Sequence, residues 1–297
     1  MKPIVRNYAD RIRDFLISPI MAGRDQDKRL IQTLAQNNLT FQYRQMLKLG
    51  LQMPRIDEVG FSVYSESNED GILHYIFALV GTVNKELADI GAASIKHSNT
   101  ANLIINQGWT GLLIDQNSDE VENAKRFYSR CAATRLFSPR LVCSRVTAEN
   151  VNHILTDNEL TGEIDLLCID IDGIDYWIWK AIDCISPRVV VVEYQCIWGP
   201  KESVTVPYKP DFKAGYSGRF GIYNGASLLA FVKLGKEKRY RLVGCQRYGY
   251  NAFFVRNDIG QEVLPETPPA ECFKHPFTQW ARKTFLDQIK DKEWVEV

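Results

Sequence analysis

The residues best suited to chemistry lie in the stretch 164–176, which reads IDLLCIDIDGIDY. Its first half is an almost unbroken apolar run, which is typical of a strand buried on both faces of a parallel sheet. Three carboxylates follow within six residues, Asp170, Asp172 and Asp175, with a glycine among them. Acids at the carboxyl end of such a strand lie where open α/β sheets bind ligands. One of the three could instead cap the helix predicted over 176–182, because a helix has a single N-cap position.

The predicted elements around this stretch alternate between β and α. Short strands are predicted over 86–91, 111–115, 140–146, 164–169 and 188–194, with helical segments between them. This alternation predicts a parallel sheet with helices on both faces. Residues 240–245 and 251–255 then predict an antiparallel hairpin. A dinucleotide dehydrogenase would normally continue with parallel units, so the hairpin favours the Rossmann-like, seven-stranded α/β sheet of class I S-adenosylmethionine-dependent methyltransferases.

Three regions are expected along the chain. Residues 1–60 form a helical N-terminal extension, 61–260 the α/β domain, and 261–297 a tail that ends in a helix. Helical spacing in the extension predicts segments at 8–17, 28–34 and 40–49. Within the domain, residues 197–223 break the pattern with alternating prolines and glycines and many aromatic side chains. Disordered linkers are poor in aromatics, so this insertion is predicted to be ordered and to cover a substrate.

Short sequence pieces over roughly residues 60–257 occur in an order typical of one family. They are SESNEDGIL (65–73), SNT (98–100), GW (108–109), GLLID (111–115), VTAENVN (146–152), IDIDG (169–173), EY (193–194) and NAFFVR (251–256). In these pieces the chain resembles the FkbM-like family of S-adenosylmethionine-dependent methyltransferases. The resemblance implies O-methylation of a hydroxyl on a sugar or similar compound, with a carbohydrate or glycoconjugate as acceptor.

The first-strand loop departs from that family. Relatives usually have a glycine-rich loop there, whereas residues 89–96 contain a single glycine. A Cβ at Ala93, and more so the bulk of Ile95, narrows the approach of the backbone to a ligand. This departure motivates an alternative, a non-catalytic binding or scaffold protein on the same fold. An NAD-dependent oxidoreductase is disfavoured, because the hairpin is present and G-x-G-x-x-G is missing.

A bound S-adenosylmethionine needs acids for its ribose hydroxyls and ammonium group, beside a tight turn. Asp115, about 25 residues after the first-strand turn, suits the ribose hydroxyls; the alternative is a helix cap before Ser118. Asp89 and Gly91 should flank the methionine end, and residues 144–147 should lie near adenine. The predicted cofactor-binding residues are Asp89, Gly91, Ala93, Asp115, Gln116 and Asp170.

Methyl transfer requires an aligned acceptor oxygen and removal of its proton. Asp170 and Asp172 lie where the strand order should reverse, and either could be the general base. Alternatively, Asp170, Asp172 and Glu193 could hold Mg²⁺, which prefers oxygen ligands and would acidify the hydroxyl. Glu193 could equally be a buried acid paired with a lysine or arginine. His74, on a predicted helix, is a further candidate base because histidine titrates near neutrality, although a lone helical histidine is more often structural.

Candidate acceptor contacts are fewer. Tyr223 and Asn224 end the long insertion and could reach an acceptor. Trp177 and Trp179 follow the aspartates and are expected in the core, although one could stack on a sugar ring.

Composition excludes several other functions. The 297-residue chain has a formal net charge of zero, so no general attraction to nucleic acid or anionic membranes is expected. Its first residues lack the apolar core of a signal peptide, and no apolar run is long enough to span a bilayer. The seven cysteines are scattered without C-x-x-C, which favours reduced thiols and a cytoplasmic location. A homo-oligomer is compatible with the sequence but not indicated by it.

Overall fold

A computed structural model describes residues 27–92 and 94–297. Residues 27–48 form one continuous helix, α1, where the sequence predicted two shorter segments. The helix predicted over 8–17 and the candidate cofactor residue Ala93 lie outside the described residues.

The remaining elements alternate largely as predicted. The helices are α2 (Glu69–Val80), α3 (Ala101–Gln107), α4 (Ser118–Arg130), α5 (Val151–Asp157), α6 (Asp175–Ala181), α7 (Leu228–Glu237) and α8 (Pro276–Ile289). The first five strands are β1 (Glu86–Ile90), β2 (Thr110–Asp115), β3 (Arg140–Cys143), β4 (Gly162–Ile169) and β5 (Ile185–Glu193). The later strands are β6 (Val204–Thr205), β7 (Gly215–Ser217), β8 (Phe220–Tyr223), β9 (Tyr240–Cys245), β10 (Asn251–Arg256) and β11 (Val295–Glu296).

Seven strands form the central sheet in the order β3-β2-β1-β4-β5-β10-β9. The first five run parallel, and β10 lies antiparallel between β5 and β9. The strand order reverses between β1 and β4, which makes the gap above their carboxyl ends the switch point of the sheet. The predicted fold class, a seven-stranded Rossmann-like methyltransferase sheet with a C-terminal antiparallel hairpin, is confirmed.

Burial on both faces explains the apolar strand sequences. In β4, Leu166 and Cys168 belong to the hydrophobic cluster that includes α2, α3 and α4. Leu167 and Ile169 belong to the opposite cluster, with α5, α6 and α7. Because successive side chains of a strand point to opposite faces, a strand covered on both sides is apolar throughout. This packing fixes the position of the carboxyl end of β4, and so the position of the acids that follow it.

The insertion at 197–223 contains β6, which pairs with the C-terminal β11, and the small hairpin β7–β8. Helix α8 packs against this hairpin, with the rings of Phe220 and Trp280 5.5 Å apart. The tail therefore holds the insertion beside the carboxyl ends of the sheet strands. No helix in 27–92 or 94–297 combines the length and apolar character that a membrane span requires.

Candidate active site

The tips of β1 and β4 meet at Gly91 and Asp170. The amide of Asp170 donates to the carbonyl oxygen of Ile90 at 2.9 Å. Gly91 has a φ of 101°, and a Cβ placed on it would lie 1.8 Å from the carbonyl oxygen of Asp170. Glycine is needed here both for the backbone conformation and for the close approach of the two loops. The sequence-derived expectation that these two strand ends share one crevice agrees with this geometry.

A first cavity of about 230 Å³ lies above this contact and spans the tips of β1 to β4. Its wall includes the predicted cofactor residues Gly91, Asp115, Gln116 and Asp170, and also Ser144, Arg145 and Val146 from the region expected near adenine. Asp115 accepts the amide of Asn117 at 2.7 Å. The N-cap of α4 is Asn117, whose side chain accepts the amides of Asp119 and Glu120. Asp115 is therefore not the helix cap and borders the cavity.

The insertion closes one side of the first cavity, where Pro210 and Phe212 contribute to the wall. Its position is fixed by hydrogen bonds to the neighbouring loops. Tyr208 Oη accepts the amide of Ala148 at 3.1 Å, and Arg145 Nη1 donates to the carbonyl of Pro210 at 3.3 Å. The insertion thus covers the end of the crevice near β3.

A second cavity of about 460 Å³ adjoins the first, and Asp170 and Asp172 line both. Its other polar wall residues come from the start of α2, the loop before α3, the tips of β5 and β10 and the β7–β8 hairpin. They are Glu66, Glu69, His97, Asn99, Glu193, Gln195, Tyr216, Arg219, Tyr250 and Asn251. Carboxylates therefore outnumber cationic side chains in this wall. Aromatic side chains of the insertion and of α8 form the opposite side, including Phe220, Phe277 and Phe285.

The carboxylates at the tips of β4 and β5 raise one another's pKa values. Burial raises the pKa of Asp170 well above its usual range, and the charges of Asp175 and Asp172 raise it further. The pKa of Glu193 is likewise raised by burial and then by the charges of Asp170 and Asp172. Carboxyls with raised pKa values hold and release protons nearer neutrality, which suits general acid–base chemistry.

Asp172 lies in the left-handed region, with a φ of 53°. Its Oδ1 accepts a hydrogen bond from Asn224 Nδ2 at 3.2 Å. Removal from water raises the pKa of Asp172, while hydrogen bonds from Asn224 and Tyr216 lower it. A strained backbone at a cavity wall is a common feature of functional sites.

Asp175 has a structural role. Its two carboxylate oxygens accept the amides of Ile171 and Gly173 at 2.9 and 3.0 Å, so it shapes the loop that presents Asp170 and Asp172. Burial raises the pKa of Asp175 to about 6, and these amides lower it. Asp175 thus serves the loop before α6 and is not the helix cap that the sequence suggested, because the N-cap of α6 is Ile174 and no side chain caps it.

Asp89 lies beneath the crevice and lines neither cavity. It is 3% exposed and accepts a hydrogen bond from Thr100 Oγ1 at 2.5 Å. Burial raises its pKa to about 6, and the bond from Thr100 opposes that shift. The predicted direct contact of Asp89 with the cofactor therefore does not match its position, because its side chain points to the segment before α3.

His74 lies away from both cavities, in contrast to its candidate role as a base. It is 4% exposed, and its two ring nitrogens lie 3.1 Å from Thr40 Oγ1 and 3.1 Å from Gln107 Nε2. Burial lowers its pKa. The side chain joins α1 and α3 to α2, so its position indicates the structural role that the sequence left open.

The suggested magnesium site is not supported. Within the described part of the chain, no group of three or more His, Cys, Asp or Glu side chains is arranged to hold a metal ion. Glu193 has neither a lysine nor an arginine as a partner there; Asn224 Nδ2 lies 3.5 Å from its Oε2. The amide of Asn224 lies between the carboxylates of Asp172 and Glu193, which therefore do not converge on a metal ion.

The candidate acceptor contacts are also placed differently from expectation. Asn224 is 4% exposed and sits behind the carboxylates, and Tyr223 donates to the carbonyl of Glu293 at 2.8 Å; neither lines a cavity. Trp179 is fully buried in the core, as expected. Trp177 donates from Nε1 to the carbonyl of Val206 at 2.8 Å and so ties α6 to the insertion.

Several wall residues had no role assigned from sequence. Asn251 opens β10 directly opposite Glu193, and Tyr216 and Arg219 extend from the β7–β8 hairpin. The sequence placed Asn251 at the start of a predicted hairpin strand. It did not show that this strand pairs with β5, which is what brings Asn251 beside the tip of β5. Glu66 and Glu69 lay in a piece of the family resemblance, but their separation from β4 in sequence concealed their nearness to it.

The sheet order, with β10 antiparallel between β5 and β9, is that of a class I methyltransferase fold. Neither a family model nor a curated protein sequence matches the chain. Similar solved structures include TnmH, with 15% identity and a TM-score of 0.34 over 57% of this chain and 49% of that one. A SAM-dependent methyltransferase from Methanosarcina mazei shows 13% identity and a TM-score of 0.33 over 57% of this chain and 90% of its own. An O-methyltransferase family protein from Burkholderia thailandensis shows 10% identity and a TM-score of 0.36 over 75% and 70%. The chain spans about half the length of TnmH.

Proposed function

We propose that the protein is an S-adenosylmethionine-dependent O-methyltransferase of the FkbM-like type that acts on a hydroxyl of a sugar or glycoconjugate. The observation that most supports this proposal is the junction of two cavities at Asp170 and Asp172, above the point where the strand order reverses. A two-substrate transfer needs one compartment for each substrate and a shared boundary where the reacting atoms meet.

The first cavity suits the adenosine part of the cofactor. Asp115 and Gln116 at the tip of β2 offer acceptors for ribose hydroxyls, and Val146 and Phe212 provide apolar surface for a flat base. Gly91 lets the backbone approach closely at the turn. When bound, S-adenosylmethionine supplies an electrophilic methyl group on a sulfonium.

The protein's own contribution to the chemistry is positioning and proton transfer. Asp170 and Asp172 stand at the shared boundary, and their raised pKa values suit them to take the proton of an acceptor hydroxyl. Asp175 holds their loop in shape, and Asn224 orients Asp172.

The second cavity has the surface that sugar rings require. Carboxylates and the amide of Asn251 can exchange hydrogen bonds with hydroxyl groups, and Tyr216, 58% exposed at this wall, presents a ring for stacking. This combination of polar acceptors and aromatic faces supports a carbohydrate acceptor.

The scaffold alternative is weakened by the packing of Ile95. Its side chain packs against the hydrophobic cluster around α2 and α3 and lines neither cavity, so it does not occupy the crevice. All seven cysteines are free, which supports a reducing compartment, and we place the protein in the cytoplasm.

Methyl transfer itself tests the proposal. The protein is incubated with S-adenosylmethionine labelled in the methyl group and a panel of nucleotide sugars and oligosaccharides, and products are separated and mapped by mass spectrometry. We expect label on a sugar hydroxyl, with Asp170→Asn and Asp172→Asn losing turnover even where S-adenosylmethionine saturates the protein. Label on an amine or carboxylate, or full activity of both variants, would contradict the assignment.

A further inference from the structure

The zero net charge of the chain conceals an uneven distribution of charged residues. Residues 123–148 contain six basic side chains and no acidic one. Arg126 and Arg130 lie near the end of α4, and Arg135 follows in the loop that leads to β3. Residues four apart in a helix share a face, so the two helical arginines point to the same side. The end of α4 and the loop after it therefore form a basic surface.

The three arginines have no ion-pair partner among the described residues. All three are exposed, and every ion pair in that part of the chain is made by other residues. Lys125, by contrast, is paired with Glu122 at 2.8 Å, and Arg140 and Arg145 donate to backbone carbonyls. A partner with many negative charges would meet uncompensated positive charge at this surface.

Two bulky apolar side chains protrude beside this charge. Leu136 is 93% exposed and Phe137 is 74% exposed, more than any other large apolar side chain among the described residues. Hydrogen bonds hold the turn that carries them. The amide of Phe137 donates to the carbonyl of Thr134 at 3.0 Å, and the buried Thr134 Oγ1 donates to the carbonyl of Tyr128 at 2.6 Å. A turn anchored to α4 thus presents both side chains to water, where they cost free energy unless a partner covers them.

We propose that this surface, formed by Arg126, Arg130, Arg135, Leu136 and Phe137, docks the protein on a membrane leaflet that contains anionic lipids. The two apolar side chains enter the boundary between headgroups and acyl chains, and the arginines contact the negatively charged headgroups. Each basic side chain held near an anionic leaflet strengthens the attachment. The cytoplasmic leaflet contains such lipids, which agrees with the location proposed above.

The form of this surface favours a membrane over other anionic partners. Leu136 and Phe137 extend from a turn, and a fluid apolar layer accepts them without a matching groove. A protein partner needs an apolar core fitted to its own shape, which two side chains on a turn do not supply. Nucleic acid is bound through phosphates and base edges, and Leu136 offers a hydrogen bond to neither.

The docking surface lies away from both cavities. It precedes β3, the edge strand of the sheet, whereas Ser144 in the wall of the first cavity follows that strand. The loop and the cavities are therefore at opposite ends of β3. A docked protein keeps its cavities open to solution, and the inference does not depend on the proposed function.

Vesicle co-sedimentation of the full chain tests the inference. The wild-type protein is mixed with vesicles of phosphatidylcholine alone, and with vesicles of phosphatidylcholine and phosphatidylserine in a two-to-one mixture, at low and high salt. One double variant, Leu136→Ser with Phe137→Ser, removes the apolar side chains. A second, Arg130→Gln with Arg135→Gln, removes two positive charges.

Two control variants change comparable side chains elsewhere. Phe41→Ser removes an aromatic side chain that is 65% exposed on α1. Lys48→Gln with Lys283→Gln removes the same charge from exposed positions outside 123–148. Thermal unfolding of every variant confirms that it is folded, which is expected because the substituted side chains of the docking surface are exposed.

We expect the wild-type protein to bind the mixed vesicles about tenfold or more tightly than phosphatidylcholine alone, with weaker binding at high salt. Each double variant of the docking surface should weaken this binding by about tenfold, and both controls should leave it unchanged. The inference is wrong if the protein does not prefer anionic vesicles, or if a control weakens binding as much as the matching variant. Binding of a single-stranded RNA oligonucleotide without binding of vesicles would assign the surface to nucleic acid and also overturn it.

Discussion

Nδ2 of Asn224 lies 3.2 Å from Oδ1 of Asp172, behind the wall of the second cavity. The same amide nitrogen is 3.5 Å from Glu193, and Oδ1 of Asn224 accepts from Gln195 Nε2 at 2.7 Å. One buried amide therefore links the loop after β4 to the tip of β5. It donates to Asp172 and lies between that carboxylate and Glu193.

Replacing this amide with an acid should be costly. Asn224→Asp removes the donor and adds a carboxylate beside Asp172 and Glu193, so we expect a loss of about 3 kcal/mol in the free energy of unfolding at neutral pH. Urea unfolding measures it. The control is Asn117→Asp at the exposed N-cap of α4, where either residue caps the helix and stability should change little. Equal stability of the two variants would show that Asn224 does not serve the carboxylates.

The contact between β1 and β4 leaves no room for a side chain at Gly91. Gly91→Ala should lower the free energy of unfolding by about 3 kcal/mol or more and abolish binding of S-adenosylmethionine, because the Cβ would overlap the carbonyl of Asp170. Gly162→Ala provides a matched control, since Gly162 has a φ of 74° but no atom within 4 Å of an added Cβ. In Gly162→Ala the free energy of unfolding should fall only by the cost of a Cβ at a positive φ, about 1 kcal/mol. Its affinity for the cofactor should not change. Cofactor binding by Gly91→Ala at wild-type affinity would contradict the close contact.

Glu193 should make stability depend on pH. Its pKa in the folded protein is raised, so its favourable contribution is complete below the ordinary glutamate pKa of about 4.3 and is lost as pH rises through the raised value. Glu193→Gln removes this titration. We expect the variant to be more stable than the wild type at neutral pH, with a difference that shrinks as the pH falls toward 4.3. Comparing the two proteins cancels the opposite contribution of His74, whose lowered pKa costs stability as the pH falls. A difference that grows toward acid pH would contradict the assignment.

His74 should contribute to stability and not to the reaction. His74→Ala removes the side chain that contacts Thr40 and Gln107, and we expect a loss of about 2 kcal/mol in the free energy of unfolding with unchanged affinity for S-adenosylmethionine. His153→Ala, at an exposed position of α5, should change neither property. If the two histidine variants have the same stability, the structural role of His74 is wrong.

Patterns in short stretches of the sequence predicted the fold well. The apolar run of β4, the acids after it and the β9–β10 hairpin are each set by local sequence, and their order fixes the sheet. Asp115 could be placed at the tip of β2 for the same reason. The extent of α1 was missed because its helical periodicity weakens between the two predicted segments, where tertiary contacts support one helix.

Side-chain direction and pairing between distant segments could not be derived in this way. Asp89 is the penultimate residue of β1 and Asp115 the last residue of β2, yet one points into the core toward Thr100 and the other borders the first cavity. That difference depends on which face of the sheet each residue occupies, and a one-residue change of register reverses it. Asn251 reaches the site only because β10 pairs with β5, a contact over 58 residues of sequence that no local pattern specifies.

Calorimetric titration of the wild-type protein with S-adenosylmethionine, and separately with NAD, tests the central claim most directly. We predict binding of S-adenosylmethionine at one site per chain, no binding of NAD, and affinity about tenfold or more weaker in Asp115→Asn, which removes a charged hydrogen-bond acceptor from the wall of the first cavity. Binding of NAD in place of S-adenosylmethionine, or an Asp115→Asn variant with undiminished affinity, would contradict the placement of the cofactor in the crevice between β1 and β4.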